Sequence, residues 1–193
     1  MNKDQPTIYL VPRWAGNIHS DWYDWLTLEI KNNFQIEICR LEMPDWNEPN
    51  IEKSLEYLKS NIQELNENTF FIGHSVGCQA ILRFLNLKLN DNPDLKIAGV
   101  LFVAAWFKVD KPWISLKPWQ NNQIIDFERI AKQVLYRKVI LSNNDPFTSN
   151  FNENKKFWES KLNADVEILP NHLHFNRLVE HSVLKEVEYL IKH

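Results

Sequence analysis

Runs rich in β-branched and aromatic residues recur along the chain at 7–11, 35–40, 69–72, 97–103, 138–142 and 165–169, each of ordinary strand length. Between them apolar residues return every three to four positions over 22–31, 51–65, 76–89, 126–131, 151–162 and 178–191, a spacing that predicts helices. Strand and helix therefore alternate from end to end. The run Gly99-Val100-Leu101-Phe102-Val103 offers no polar position to either face, as expected of a parallel strand covered on both sides. The expected fold class is α/β: a three-layer α/β/α sandwich around a mostly parallel sheet of about six strands. Positions 108–123 break the pattern. They lack periodicity and carry Pro112, Trp113, Pro118 and Trp119, which predicts a small cap and no large lid.

Composition narrows the classes without choosing among them. At 193 residues the chain is expected to form a single domain, 1–193, with one adequate core. Its 22 basic and 25 acidic residues give a formal charge of -3, with no basic run that would mark a nucleic-acid partner. No apolar stretch is long enough to span a bilayer, and no targeting segment is evident, so neither a membrane nor export is expected. The two cysteines, Cys39 and Cys78, read as buried reduced thiols, which fits a cytoplasmic location. Eight tryptophans are more than packing usually demands, and several are expected to line a pocket.

Ligands of open α/β sheets bind beyond the carboxyl ends of the strands, so chemistry is sought just after each run. After the third run stands Gly73-His74-Ser75-Val76-Gly77, a G-x-S-x-G nucleophile elbow that uses two of the chain's four glycines. Such a turn lifts the serine oxygen above the sheet edge and aims a helix amino terminus at the reaction centre. Glycines are expected on either side because side chains there would crowd strand against helix. Ser75 is thus the candidate nucleophile. After the fifth run come Asn144-Asp145-Pro146, placing a candidate acid, Asp145, on a rigid strand end; Asp110 and Asp126 are weaker rivals. After the sixth come His172 and His174, two candidates for the base, of which His174 is favoured in part by the resemblance described below. The oxyanion would be held by the backbone N–H of Val76 and by that of Arg13 or Trp14 on the loop after the first strand. Trp14, His19, Trp106, Trp113 and Trp119 are the candidate pocket residues. His74 reads as a packing residue at the helix start, and His181 and His193 as surface histidines.

With these residues placed, the chain resembles the small α/β-hydrolases that include retinoblastoma-binding protein nine and its bacterial relatives. The resemblance rests on Val11-Pro12, Asp21-Trp22-Tyr23-Asp24-Trp25, Met43-Pro44-Asp45, the elbow, Val103-Ala104-Ala105, Pro118-Trp119, Asn144-Asp145-Pro146-Phe147 and His174-Phe175-Asn176. It implies an α/β-hydrolase fold with a Ser75, Asp145, His174 triad. Two positions depart from the family's habit of glycine: Arg13 after the first-strand proline and Leu173 before the histidine. If position 13 needs φ > 0, Arg13 must strain or reroute the oxyanion loop. The retinoblastoma-type Leu-x-Cys-x-Glu motif is absent, since 63–68 read Gln-Glu-Leu-Asn-Glu-Asn. The expected activity is that of a carboxylesterase-like serine hydrolase, free of metal and cofactor, acting on a small-molecule ester through an acyl-enzyme on Ser75. The competing reading is a non-catalytic protein-binding module that keeps the hydrolase shell.

Overall fold

The computed structural model describes residues 5–62 and 64–192, which leaves the expectation for His193 outside the described residues. Its elements run β1 (Thr7–Val11), α1 (Tyr23–Phe34), β2 (Ile38–Arg40), α2 (Ile51–Asn61), β3 (Thr69–His74), α3 (Val76–Asp91), β4 (Ile97–Val103), a 3₁₀ segment (Ile114–Gln120), α4 (Phe127–Gln133), β5 (Val134–Ser142), α5 (Phe151–Leu162), β6 (Asp165–Leu169) and α6 (His181–Lys192). All six strands join one sheet in the order β2-β1-β3-β4-β5-β6, and every pairing is parallel. This is the expected three-layer α/β architecture.

Local chemistry sets the element ends. The side chains of Asn50, Asp126 and Asn150 accept from the third following backbone N–H, at Lys53, Arg129 and Glu153, and so start α2, α4 and α5. Gln35 takes a left-handed conformation (φ 59°) and donates its N–H to Lys31 O, closing α1. The predicted strand at 35–40 therefore begins only at Ile38. β3 runs two residues further than predicted, which makes His74 the strand's last residue and corrects its reading as a helix-start residue.

Every residue of β3 and β4 is buried, as strands flanked on both faces must be. One core cluster packs α2, α3 and α5 against the sheet through Leu58, Phe84 and Trp158; the other packs α1 and α6 through Leu26, Ile30, Val183 and Val187. Cys78 lies within the first cluster, but Cys39 is exposed. That corrects the expectation of two buried thiols: β2 is an edge strand, and its middle residue faces outward.

The sheet order reverses between β1 and β3, so the loops after these two strands diverge and leave a crevice at their carboxyl ends. The elbow glycines let α3 pack close beneath it. A Cβ on Gly77 would lie 2.3 Å from Val11 O, and one on Gly73 would lie 2.8 Å from Cys78 Cα, distances no side chain tolerates.

Candidate active site

Ser75 sits between β3 and α3 with φ 56° and ψ -118°, a strained conformation for a non-glycine residue. Its N–H donates to Val103 O at 2.9 Å and its carbonyl accepts from Cys78 N at 3.0 Å, so β4 and the first turn of α3 hold the turn in place. The N–H of Val76 lies in that first turn, where helical N–H groups lack intrahelical acceptors.

Asp145 follows β5. Its Oδ1 accepts from Phe147 N at 2.9 Å, forming the Asx turn that Asp-Pro favours, while Oδ2 meets His174 Nδ1 at 2.7 Å. Both residues are buried. The rivals lie elsewhere: Asp110 accepts from Ser149 N, and Asp126 caps α4. His172 turns away, with its Nδ1 2.9 Å from Glu180 Oε1 and its ring stacked on Phe175.

The loop bearing His174 is pinned on several sides. Asn144 Oδ1 accepts from Leu173 N at 2.9 Å, Asn143 Oδ1 accepts from Asn171 N at 3.0 Å, and the buried Trp22 indole donates to Phe175 O at 3.0 Å. Asn171, Leu173 and Phe175 all have positive φ (62°, 52° and 55°), so this turn is held in shape by its partners against backbone preference.

His74 lies beneath both loops. Its Nε2 is 2.8 Å from His174 O and its Nδ1 is 2.8 Å from Tyr23 Oη, which also accepts from Arg13 N at 3.1 Å. A carbonyl can only accept, so Nε2 carries the proton. Burial, reinforced by neighbouring His174 and Arg13, pushes His74 well below the usual histidine range, leaving Nδ1 as an acceptor of the Tyr23 hydroxyl. Burial likewise drives the Tyr23 phenol well above its usual range.

Arg13 avoids the left-handed region; Ala15 (φ 55°) takes that conformation in its loop. The anticipated strain at Arg13 therefore does not arise. Its Nε donates to Asp21 Oδ2 at 2.7 Å and its Nη1 to Trp14 O at 2.9 Å. The Arg13 N–H is committed to Tyr23, whereas no hydrogen bond engages the N–H of Trp14 among the described residues.

A cavity of about 280 Å³ opens on Ser75 and His174. Trp14, Trp106 and Trp113 line it, together with Val109, Leu116 and Phe147. Trp14 and Trp113 stack at 4.4 Å, and Phe147 packs edge-on against His174 at 4.8 Å. Val109, Trp113 and Leu116 come from the predicted cap, whose 3₁₀ segment covers one side. Two expected lining residues lie outside. His19 is largely exposed and pairs with Asp24, and Trp119 is fully buried, donating its indole N–H to Pro49 O. Val109, Leu116, Phe147 and Asn176 were not singled out as pocket residues from sequence; only the Phe after Asp-Pro and the Asn after His-Phe had a motif to point at them. Ser75 Oγ accepts a hydrogen bond from Trp106 Nε1 at 3.1 Å and makes none with the His174 imidazole.

A strained serine at the mouth of a parallel sheet, with His174 on the same cavity and Asp145 paired to it, is the arrangement of an α/β-hydrolase fold. The family described as serine hydrolase matches residues 8–193, and the chain belongs to it. YdeN of Bacillus subtilis (strain 168), which carries a provisional hydrolase name, is 29% identical over 140 residues, 72% of this chain and 70% of YdeN. The solved structure of the B. subtilis ydeN product superposes with a TM-score of 0.86 at 22% identity, covering 98% of this chain and 100% of that one. Est1E from Butyrivibrio proteoclasticus shares the fold at a TM-score of 0.66 and 12% identity, over 100% of this chain and 91% of Est1E. Among the described residues no helix is long and apolar enough to cross a membrane.

Proposed function

We propose that this serine hydrolase is an esterase that cleaves small acyl esters through an acyl-enzyme on Ser75. The observation that carries the reading is the buried 2.7 Å contact of His174 Nδ1 with Asp145 Oδ2, on the cavity that also holds the strained Ser75. With Nδ1–H held by Asp145, His174 keeps Nε2 as a free base. Ser75 Oγ attacks the acyl carbonyl and passes its proton to Nε2, which returns it to the departing alcohol; water then repeats the sequence to release the acid. The oxyanion is held by the N–H groups of Val76 and Trp14. No Oγ to imidazole hydrogen bond is needed at rest, since such bonds commonly tighten only when substrate binds.

The apolar, tryptophan-rich cavity supports a compact apolar acyl group. Est1E has been solved with ferulic acid bound, so an aromatic acyl ester belongs in the test panel beside straight-chain ones. The test is labelling by a fluorophosphonate probe with hydrolysis of p-nitrophenyl esters. Labelling at Ser75, and loss of activity in Ser75→Ala by several orders of magnitude, is the expected result. An unlabelled wild type that hydrolyses none of the esters is what a protein-binding module would give, and it would overturn the esterase reading.

A further inference from the structure

Ser75 is gripped by a side chain that the proposed reaction does not yet use. Trp106 is 1% exposed, and its indole N–H donates to Ser75 Oγ at 3.1 Å. An indole N–H can only donate, so it occupies an Oγ lone pair and leaves the hydroxyl hydrogen available to a base. Ala104 (φ 49°) bends the chain at the end of β4, just before this residue.

A buried polar chain holds Trp106 there. Gln79 Nε2 donates to Trp106 O at 2.6 Å, and Gln79 Oε1 accepts from Arg83 Nη1 at 2.7 Å. Arg83 Nη2 donates to Trp119 O at 3.0 Å and Asn121 O at 2.8 Å, and the guanidinium lies over the Trp119 ring. Arg83 is 2% exposed, its hydrogen bonds go to amide oxygens only, and burial lowers its pKa to about 10. A buried cation without a carboxylate partner is costly, and here it ties the end of the cap to α3 and, through Gln79, to the backbone of Trp106.

Resting on the esterase reading, we propose that Trp106 is a catalytic residue whose indole N–H stabilises the charge that develops on Ser75 Oγ in both halves of the reaction. In acylation the Oγ–carbon bond forms as the Oγ proton moves to His174 Nε2, and the N–H donor favours the oxygen as its electron density rises. In deacylation a water oxygen bonds to the acyl carbon and gives its proton to His174, the Oγ–carbon bond breaks, and His174 protonates Oγ. The same donor then stabilises Oγ as leaving group. Trp106 keeps its own proton throughout. Gln79 and Arg83 are positioning residues that act through the Trp106 backbone.

The experiment compares wild type with Trp106→Phe, which removes the N–H and keeps an aromatic ring. The readouts are the rate of fluorophosphonate labelling at Ser75 and the kcat and KM for p-nitrophenyl acetate. Labelling and kcat should fall about ten- to hundred-fold, the loss of one charge-assisted donor, while KM stays within about two-fold. A folded Trp106→Phe that labels as fast as wild type, or whose loss lies in KM alone, overturns the inference. Gln79→Met keeps the indole and frees its backbone; slower labelling there supports the proposal and an unchanged rate overturns it, even if Trp106→Phe does not fold. A wild type that fails to label would instead overturn the esterase reading itself.

Discussion

The imidazole of His74 donates from Nε2 to the backbone carbonyl of His174 at 2.8 Å, so the residue before the elbow serine carries the loop that presents the proposed base. On its other side Nδ1 takes the Tyr23 hydroxyl, which in turn accepts the Arg13 N–H. One buried relay thus fixes the base loop and the proposed oxyanion loop together. Tyr23→Phe should leave two buried polar groups unpaired and cost about 1–3 kcal/mol of stability for each that water cannot reach. It should also lower kcat by more than it raises KM, since it loosens the loop that presents the Trp14 N–H. Urea denaturation and steady-state kinetics check both; an unaffected kcat in a destabilised variant would confine the relay to folding.

The same histidine sets a pH dependence of stability. Burial first, then the neighbouring His174 and Arg13, hold the folded-state pKa of His74 well below the unfolded value of about 6.5. Above that value neither state binds the proton and His74 contributes no slope. Below it the unfolded chain binds a proton that the folded chain refuses, so stability falls as pH falls, by at most about 1.4 kcal/mol per pH unit from this group. Unfolding free energies at pH 7.5, 6.5 and 5.5 should drop more steeply below 6.5 in wild type than in His74→Asn. Parallel curves would contradict the assignment.

Leu173 occupies the left-handed region (φ 52°), is more than half exposed, and needs only its backbone N–H, which Asn144 Oδ1 takes. Leu173→Gly should therefore stabilise the fold by about 0.5–1 kcal/mol, relief of backbone strain outweighing the freedom gained by the unfolded chain. Leu173→Val, with a β-branched side chain in the same conformation, should cost more than about 1 kcal/mol. Thermal melts of the two variants decide the matter: both shifting in the same direction would argue against strain at this position.

How far the sequence could be read follows from which features are local. The elbow was legible because Gly73 and Gly77 answer to close approaches within one strand-turn-helix unit, and β4 because burial on both faces leaves it no polar position. The pairing of Asp145 with His174 was legible because strand ends in a parallel sheet gather at one edge. Arg13 and Leu173, both standing where the resemblance leads to an expectation of glycine, resolved in opposite ways: the backbone at 13 stays out of the left-handed region, while that at 173 enters it and is held by Asn144. No periodicity carries that distinction. The roles of Tyr23, His74 and Gln79 were hidden because each depends on a partner brought near only by the tertiary fold: 51 residues separate Tyr23 from His74, and 27 separate Gln79 from Trp106. Trp119 shows the converse error. A tryptophan in an aperiodic, proline-containing segment read as pocket lining, yet it is the buried anchor on which Arg83 rests.

On the proposed esterase reading, the cavity's walls limit the length of the acyl group. Each methylene buried contributes about 0.8 kcal/mol to binding while there is room, but the aromatic wall formed by Trp14, Trp113 and Phe147 closes a space of about 280 Å³. In a p-nitrophenyl series kcat/KM should fall steeply, at least about ten-fold, between acetyl and octanoyl esters, with the loss setting in where the chain outgrows the cavity. Trp113 is 41% exposed and stacks on Trp14, so Trp113→Ala should open the wall with little cost to the core and bring the octanoyl ester closer to the acetyl one. A flat wild-type profile, or a Trp113→Ala variant with the wild-type profile, would show that the acyl chain leaves the site by another face.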